Sequence, residues 1–304
     1  MKRNFLFAKV LFLAVAFACL GCVGGVAAGA ERPKLVVGIV VDQMRWDYLY
    51  RYYDLYGEGG FKRLMAEGYN CENTMINYVP TVTGVGHASI FTGSVPAIHG
   101  IAGNNFIKDG KMIYCCDDSA VRGVGSDTDA GRMSPRNMLT TTIGDELKIA
   151  TDFKAKVVGV SLKDRASILP AGHSADGAYW IDNSTGTFIT STYYMEELPQ
   201  WVVAFNKKYG GKSEREIGYS AYGNLITAEM AKAAIEGEAL GQDAVTDLLT
   251  VSFSCTDKIG HEYATHSPEI REIFLDLDKK LADFFTYLDQ KVGKGQYLVF
   301  LTAD

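Results

Sequence analysis

The chain of 304 residues is 47% hydrophobic and 22% charged, with 32 Gly and 7 Pro, a balance that excludes disordered, collagen-like and coiled-coil proteins. Its 30 Lys and Arg against 36 Asp and Glu leave a net charge of −6. With no basic run beyond the first residues, a nucleic-acid grip built on phosphate neutralisation is excluded as well. The length suits one large α/β domain, or one domain with an inserted cap.

The first thirty residues read as an export signal. Lys2 and Arg3 precede an apolar run from Phe5 to Leu20, and small residues close it at Ala28-Gly29-Ala30 before polar Glu31-Arg32-Pro33-Lys34. The run is short of the ~20 residues that span a bilayer. A signal cleaved near Ala30 is therefore expected, with a periplasmic or secreted product that keeps no membrane span. Cys19 and Cys22 leave a lipoprotein variant open, although neither follows a Leu-Ala-Gly lead. Cleavage would remove three bases and no acid, taking the net charge from −6 to −9. Export permits disulfides. A bridge from Cys71 to Cys115 or Cys116, and four free thiols counting Cys255, are both open from the spacing. Adjacent cysteines rarely bridge each other, and no two-residue cysteine spacing marks a zinc site.

Residues 35–41 (LVVGIVV), 156–162 (KVVGVSL), 247–254 (DLLTVSFS) and 296–301 (QYLVFL) are short apolar runs rich in β-branched residues. They predict strands buried on both faces and hence a parallel sheet. Between them lie helical patterns. One runs through Leu225, Ala228, Met230, Ala231 and Ile235. Another opens at Ser267-Pro268 and repeats Ile270, Ile273, Phe274, Leu277, Leu281, Phe284, Phe285 and Leu288. The expected fold over 31–304 is a mostly parallel α/β sheet sandwiched by helices. The stretches 104–133 and 172–222, rich in Gly, Asp, Ser and Tyr, read as loops or a cap.

Three of the predicted strands end in aspartate: Asp42, Asp257 and Asp304. In a parallel sheet these carboxylates emerge at one edge, the carboxyl ends of the strands, where open α/β sheets bind ligands. A lone aspartate there is commonly a turn or helix cap. Three together repel one another unless cations lie between them, which predicts a metal cluster. His261, four residues after Asp257, adds a nitrogen donor, and oxygen with nitrogen suits zinc; His266 reads as a surface histidine. The other dense patch is 80–94 (PTVTGVGHASIFTGS). Its small residues admit an anion, and Ala88 to Phe91 reads as the first turn of a helix. A hydroxyl held there against a cation can attack phosphorus.

The set VVDQMRWDYL, PTVTGVGHASIFTGSVPAIHGI with GNNF, SLKDRASILPAGH, and DKIGHEY followed by LTAD resembles the alkaline phosphatase superfamily in its type I phosphodiesterase and nucleotide pyrophosphatase branch. Within it the set is most similar to periplasmic phosphate-irrepressible alkaline phosphatases with a threonine nucleophile. The resemblance covers the chain from Leu35 onward and implies two zinc ions. It implies Thr83 as nucleophile, and Asp42, Thr83 and Asp304 as ligands of the ion that activates it. It further implies Asp257 and His261 at the ion that receives the leaving oxygen, Asn104 on one phosphate oxygen, and Lys163 and Arg165 on the others.

A monoester carries about two charges near neutrality, and a diester gains less from the Lys163 and Arg165 pair, so small-molecule phosphate monoesters are the expected substrates. Phosphodiester or nucleotide pyrophosphate hydrolysis is the alternative. No C-x-P-x-R or S-x-P-x-R motif marks a sulfatase, and the hydroxyl is not the serine of the phosphoglycerate mutase relatives. The chain departs from the pattern at Asp304, where members of the family continue with histidine and supply another histidine later. His87, His99, His173 and His266 hold no matching position. The resemblance therefore implies a truncated chain with each metal lacking one histidine, an apolar sheet edge left open and impaired hydrolysis. A noncatalytic exported fragment is the further alternative.

Overall fold

The computed structural model describes residues 32–304. The export signal, its cleavage near Ala30, and Cys19 and Cys22 lie outside the described residues. Among the described residues no helix is long and apolar enough to cross a membrane.

Nine strands form among the described residues: β1 (Leu35–Val41), β2 (Asn105–Lys108), β3 (Lys111–Tyr114), β4 (Gly123–Val124), β5 (Val157–Ser161), β6 (Gly177–Asp182), β7 (Thr187–Ser191), β8 (Asp247–Phe253) and β9 (Tyr297–Thr302). Seven build the main sheet in the order β4-β7-β6-β5-β8-β1-β9, and β2 and β3 form a separate hairpin. Neighbours from β6 to β9 are parallel, whereas β7 runs antiparallel to both β6 and β4. In the centre Leu35 lies opposite Asp247 on one side and Tyr297 on the other.

Parallel strands bury both faces because crossover helices cover them, and every residue of β5, β6 and β8 is buried. Alternation along β6 shows the two layers. Tyr179 and Ile181 join a large core with Leu249, Val251, Met230 and Phe274, while Ala178 and Trp180 join a second with Ala88, Ile168 and Leu169. The first layer holds the helices Ala221–Gly237 and Pro268–Leu288, and the second holds Thr83–Thr92 and Asp164–Ala171. The long helix starts where Ser267 accepts from the Ile270 N–H at 3.2 Å, with Pro268 following. From its middle, buried Asp278 accepts from the N–H groups of Gly57 and Phe61, each at 2.8 Å, and anchors the short helix Phe61–Glu67.

The four strands expected from apolar runs are present within a residue or so. The segment 172–222 differs from its loop or cap reading: β6 and β7 are inner strands of the main sheet, followed by the helices Gln200–Tyr209 and Glu214–Gly218. Turn residues around strands of five or six residues conceal them from composition. The segment 104–133 supplies the β2–β3 hairpin and the edge strand β4. The helix read from Ala88 begins earlier, at Thr83. Its glycines are there for close packing: a Cβ on Gly86 would lie 2.4 Å from Asp304 Cβ, and one on Gly84 would lie 3.1 Å from Asn104 Oδ1. Cys71, Cys115, Cys116 and Cys255 are all free thiols, with Cys71 exposed and the others buried. Among the described residues β9 pairs only with β1 and ends the strand order, and Leu298 on it is half exposed.

Candidate active site

The site forms at the carboxyl ends of β1, β8 and β9. Asp42 follows β1, and its N–H continues the ladder to Phe253 O at 3.0 Å. Asp257 lies in the first turn of Cys255–Glu262, the helix that leaves β8, and His261 is one turn further. Asp304 comes two residues after β9. Thr83 is the first residue of its helix, behind extended Val82, and Lys163 directly precedes the helix Asp164–Ala171.

Lys163 is the hub. Its Nζ lies 2.5 Å from Asp42 Oδ2, 2.5 Å from Asp257 Oδ2 and 3.4 Å from Thr83 Oγ1. Asp257 Oδ1 also accepts from Gln43 Nε2 at 3.0 Å and sits 3.1 Å from His261 Nε2. Asp42 and Thr83 are buried, while the His261 ring is 73% exposed. Asp304 Oδ2 meets His87 Nδ1 at 2.8 Å, and its other oxygen is buried without a hydrogen-bond partner. Burial, against the pull of Lys163 and with Asp304 and Asp257 adding repulsion, pushes the Asp42 carboxyl up to about 7. Burial opposes charge on both members of the His87–Asp304 pair, but their mutual attraction outweighs it, so His87 is raised and Asp304 lowered.

The predicted residues are thus brought together unevenly. Asp42, Asp257, Lys163 and Thr83 share one cluster, and Asp304 is close enough to repel Asp42. Asn104 Oδ1 accepts from the Gly84 N–H at 2.8 Å, so it grips the start of the Thr83 helix. Arg165 stands apart from the carboxylates: its Nη1 donates to Tyr114 OH at 3.0 Å, and that hydroxyl donates to Asp164 Oδ1 at 2.5 Å. Burial opposes the Arg165 charge, but Tyr114 and Asp164 outweigh it and push the guanidinium up. A cavity of about 360 Å³ opens beside Lys163 and Arg165, bordered by Tyr114, Trp180, Asp182 and Lys258. Sequence reasoning passed over His87, Gln43 and Tyr114. His87 had a signal, since it falls four residues after Thr83 and so on the same helix face; Gln43 and Tyr114 depend on the fold.

Among the described residues no group of three or more His, Cys, Asp or Glu side chains is arranged to hold a metal ion. The donors, carboxylate oxygens with the His261 imidazole beside them, nevertheless suit a divalent cation such as zinc. Asp42 and Asp257 converge on one ammonium, Asp304 lies close enough to repel Asp42, and a buried Asp304 oxygen has no partner.

A parallel sheet with carboxylates at its carboxyl rim beside a helix-start threonine defines an α/β protein of the alkaline-phosphatase-like type. Residues 36–304 match the family model of type I phosphodiesterase / nucleotide pyrophosphatase, and the chain belongs to that family. It is 50% identical to alkaline phosphatase PafA of Elizabethkingia meningoseptica, over 90% of this chain and 60% of that one. It is 49% identical to a protein of Myroides odoratus named calcium-transporting ATPase, again over 90% and 60%. Among solved structures, a PafA variant substituted at a threonine, an asparagine, a lysine and an arginine superposes with a TM-score of 0.87 at 48% identity, covering 90% of this chain and 63% of the other. The chain therefore spans about 60% of the length of these relatives.

Proposed function

We propose that residues 36–304 carry the nucleophile and most of the ligand set of a metal-dependent phosphate-monoester hydrolase working through a phosphothreonine. The observation that carries this reading is the Lys163 ammonium, which lies 3.4 Å from Thr83 Oγ1 while bridging Asp42 and Asp257. A hydroxyl is thereby fixed at a helix start within a cluster of carboxylates. The four residue types substituted in the solved PafA variant occur here in the same order as Thr83, Asn104, Lys163 and Arg165.

In this reading Thr83 Oγ1 attacks phosphorus, the P–O bond to the leaving group breaks, and water later hydrolyses the Thr83 phosphate. Asp42, Asp257, Asp304 and His261 would hold two zinc ions, which when bound lower the pKa of a hydroxyl and stabilise a departing oxygen. Lys163 and Arg165 supply donors for the equatorial oxygens. Arg165 is pre-set for this by Tyr114 and Asp164. Asn104 holds the Gly84 N–H and so fixes the helix start that presents Thr83. The cavity beside Lys163 and Arg165 is of a size that small ligands fill, and takes part of the organic substituent. The residues up to Ala30 direct the chain to the periplasm or outside the cell.

The test is hydrolysis of p-nitrophenyl phosphate by the full chain with added zinc, combined with mass detection of phosphate on Thr83 after an acid quench. Thr83→Ala should remove the phosphate adduct and lower any turnover by at least about 10⁴-fold. Turnover undiminished in that variant would overturn the proposal, as would a chain that takes up neither zinc nor phosphate.

A further inference from the structure

His87 is fully buried and is not among the residues implied by the family resemblance. Its Nδ1 lies 2.8 Å from Asp304 Oδ2 and 2.9 Å from the carbonyl oxygen of Thr83, and its Nε2 lies 2.8 Å from Ser252 Oγ on β8. Both groups facing Nδ1 are acceptors, so Nδ1 carries a hydrogen and donates to the pair. The Ser252 hydroxyl can donate to Nε2 and so fixes the tautomer from the other side.

We propose that His87 is the positioning residue of the site: it pins Asp304 to the main chain of the nucleophile Thr83 and leaves Asp304 Oδ1 as the oxygen free to meet a cation. Three observations carry this. The imidazole joins the two residues within one hydrogen bond of each. Asp304 Oδ1 is buried and unpartnered. Gly86, the residue before His87, presents no side chain where Asp304 Cβ packs, so the helix receives this aspartate by shape as well as by hydrogen bonding. A shift of Asp304 would then be felt at Thr83 through the shared imidazole. This deepens the proposed function and rests on it for the cation.

Nitrogen-15 spectra of the His87 ring in the full chain, together with calorimetric zinc titration, test the inference. The ring is expected to be protonated at Nδ1, with a hydrogen-bonded proton whose resonance moves in Asp304→Asn. A ring protonated at Nε2 alone, or one unmoved by Asp304→Asn, would overturn it. His87→Ala should weaken zinc binding about 10- to 100-fold. His87→Asn, whose amide nitrogen takes the place of Nδ1, should stay within about threefold of the parent. If Asn binds zinc no better than Ala while both variants melt cooperatively, the imidazole is packing alone and the inference fails. A parent chain that takes up no zinc counts against the proposed function, and the ring spectra then decide the positioning role by themselves.

Discussion

Strand β8 has an aspartate at each end, and the two are held in opposite ways. Asp247, which opens the strand, accepts from the main-chain N–H groups of Lys156 at 2.7 Å and Gly241 at 2.8 Å. Asp257, beyond the other end, is met by the side chains of Lys163, Gln43 and His261. Main-chain donors are neutral and fixed by the fold, so a carboxylate resting on them is a structural joint. Donors on side chains can withdraw when a ligand of higher charge competes. Asp278 belongs with Asp247, whereas Asp42 and Asp304 belong with Asp257; Asp182, held by three hydroxyls and one main-chain N–H, lies between the two. The carboxylates gathered beside Thr83 are therefore built to exchange partners, and those resting on the main chain to keep them.

Removing the shared cation should break this contrast most sharply. Lys163→Met leaves buried Asp42 and part-buried Asp257 without their shared counter-charge, at an expected cost of about 3–5 kcal/mol in urea unfolding of the metal-free chain. Unchanged stability would show that these carboxylates do not depend on Lys163. On the structural side, Asp278→Ala strands the N–H groups of Gly57 and Phe61 and should cost about 2–3 kcal/mol by the same measurement. Its thermal transition should fall without altering zinc uptake.

Asp182 sharpens the comparison through pH. Its carboxylate accepts from Thr128 Oγ1 at 2.9 Å, Ser184 N at 2.8 Å and Ser184 Oγ at 2.6 Å, and from Ser126 Oγ. Burial works against the charge, but these donors outweigh it and hold the carboxyl below its ordinary 3.8. A lowered folded value means stability that is present above the unfolded pKa and lost as pH falls through the folded one. Asp182→Asn should therefore destabilise by about 1 kcal/mol near neutrality, with the difference vanishing in acid. A difference that persists at low pH would place its origin in packing.

The rim itself was legible because β1, β8 and β9 are continuous β-branched runs whose following residues include Asp42, Asp257 and Asp304. A parallel sheet sends such residues to one edge. The cluster around Lys163 was not legible, since it depends on β5 lying beside β8 in register, Ser161 opposite Ser252. The helix Thr83–Thr92 is hard to read because nearly every residue in it is buried. It has no polar face to give a period, and its glycines imitate a turn. β6 and β7 were hidden for a related reason: the tight turn between them is made of Asn183, Ser184, Thr185 and Gly186, which dominate a composition taken over fifty residues.

β1 comes first among the described strands, yet its two partners begin at Asp247 and Tyr297. During synthesis LVVGIVV must wait for more than two hundred further residues before either neighbour leaves the ribosome. Such delayed closure makes for slow maturation, and it exposes a sticky ribbon throughout that interval. Chaperones that bind extended apolar segments would find β1 their most persistent client.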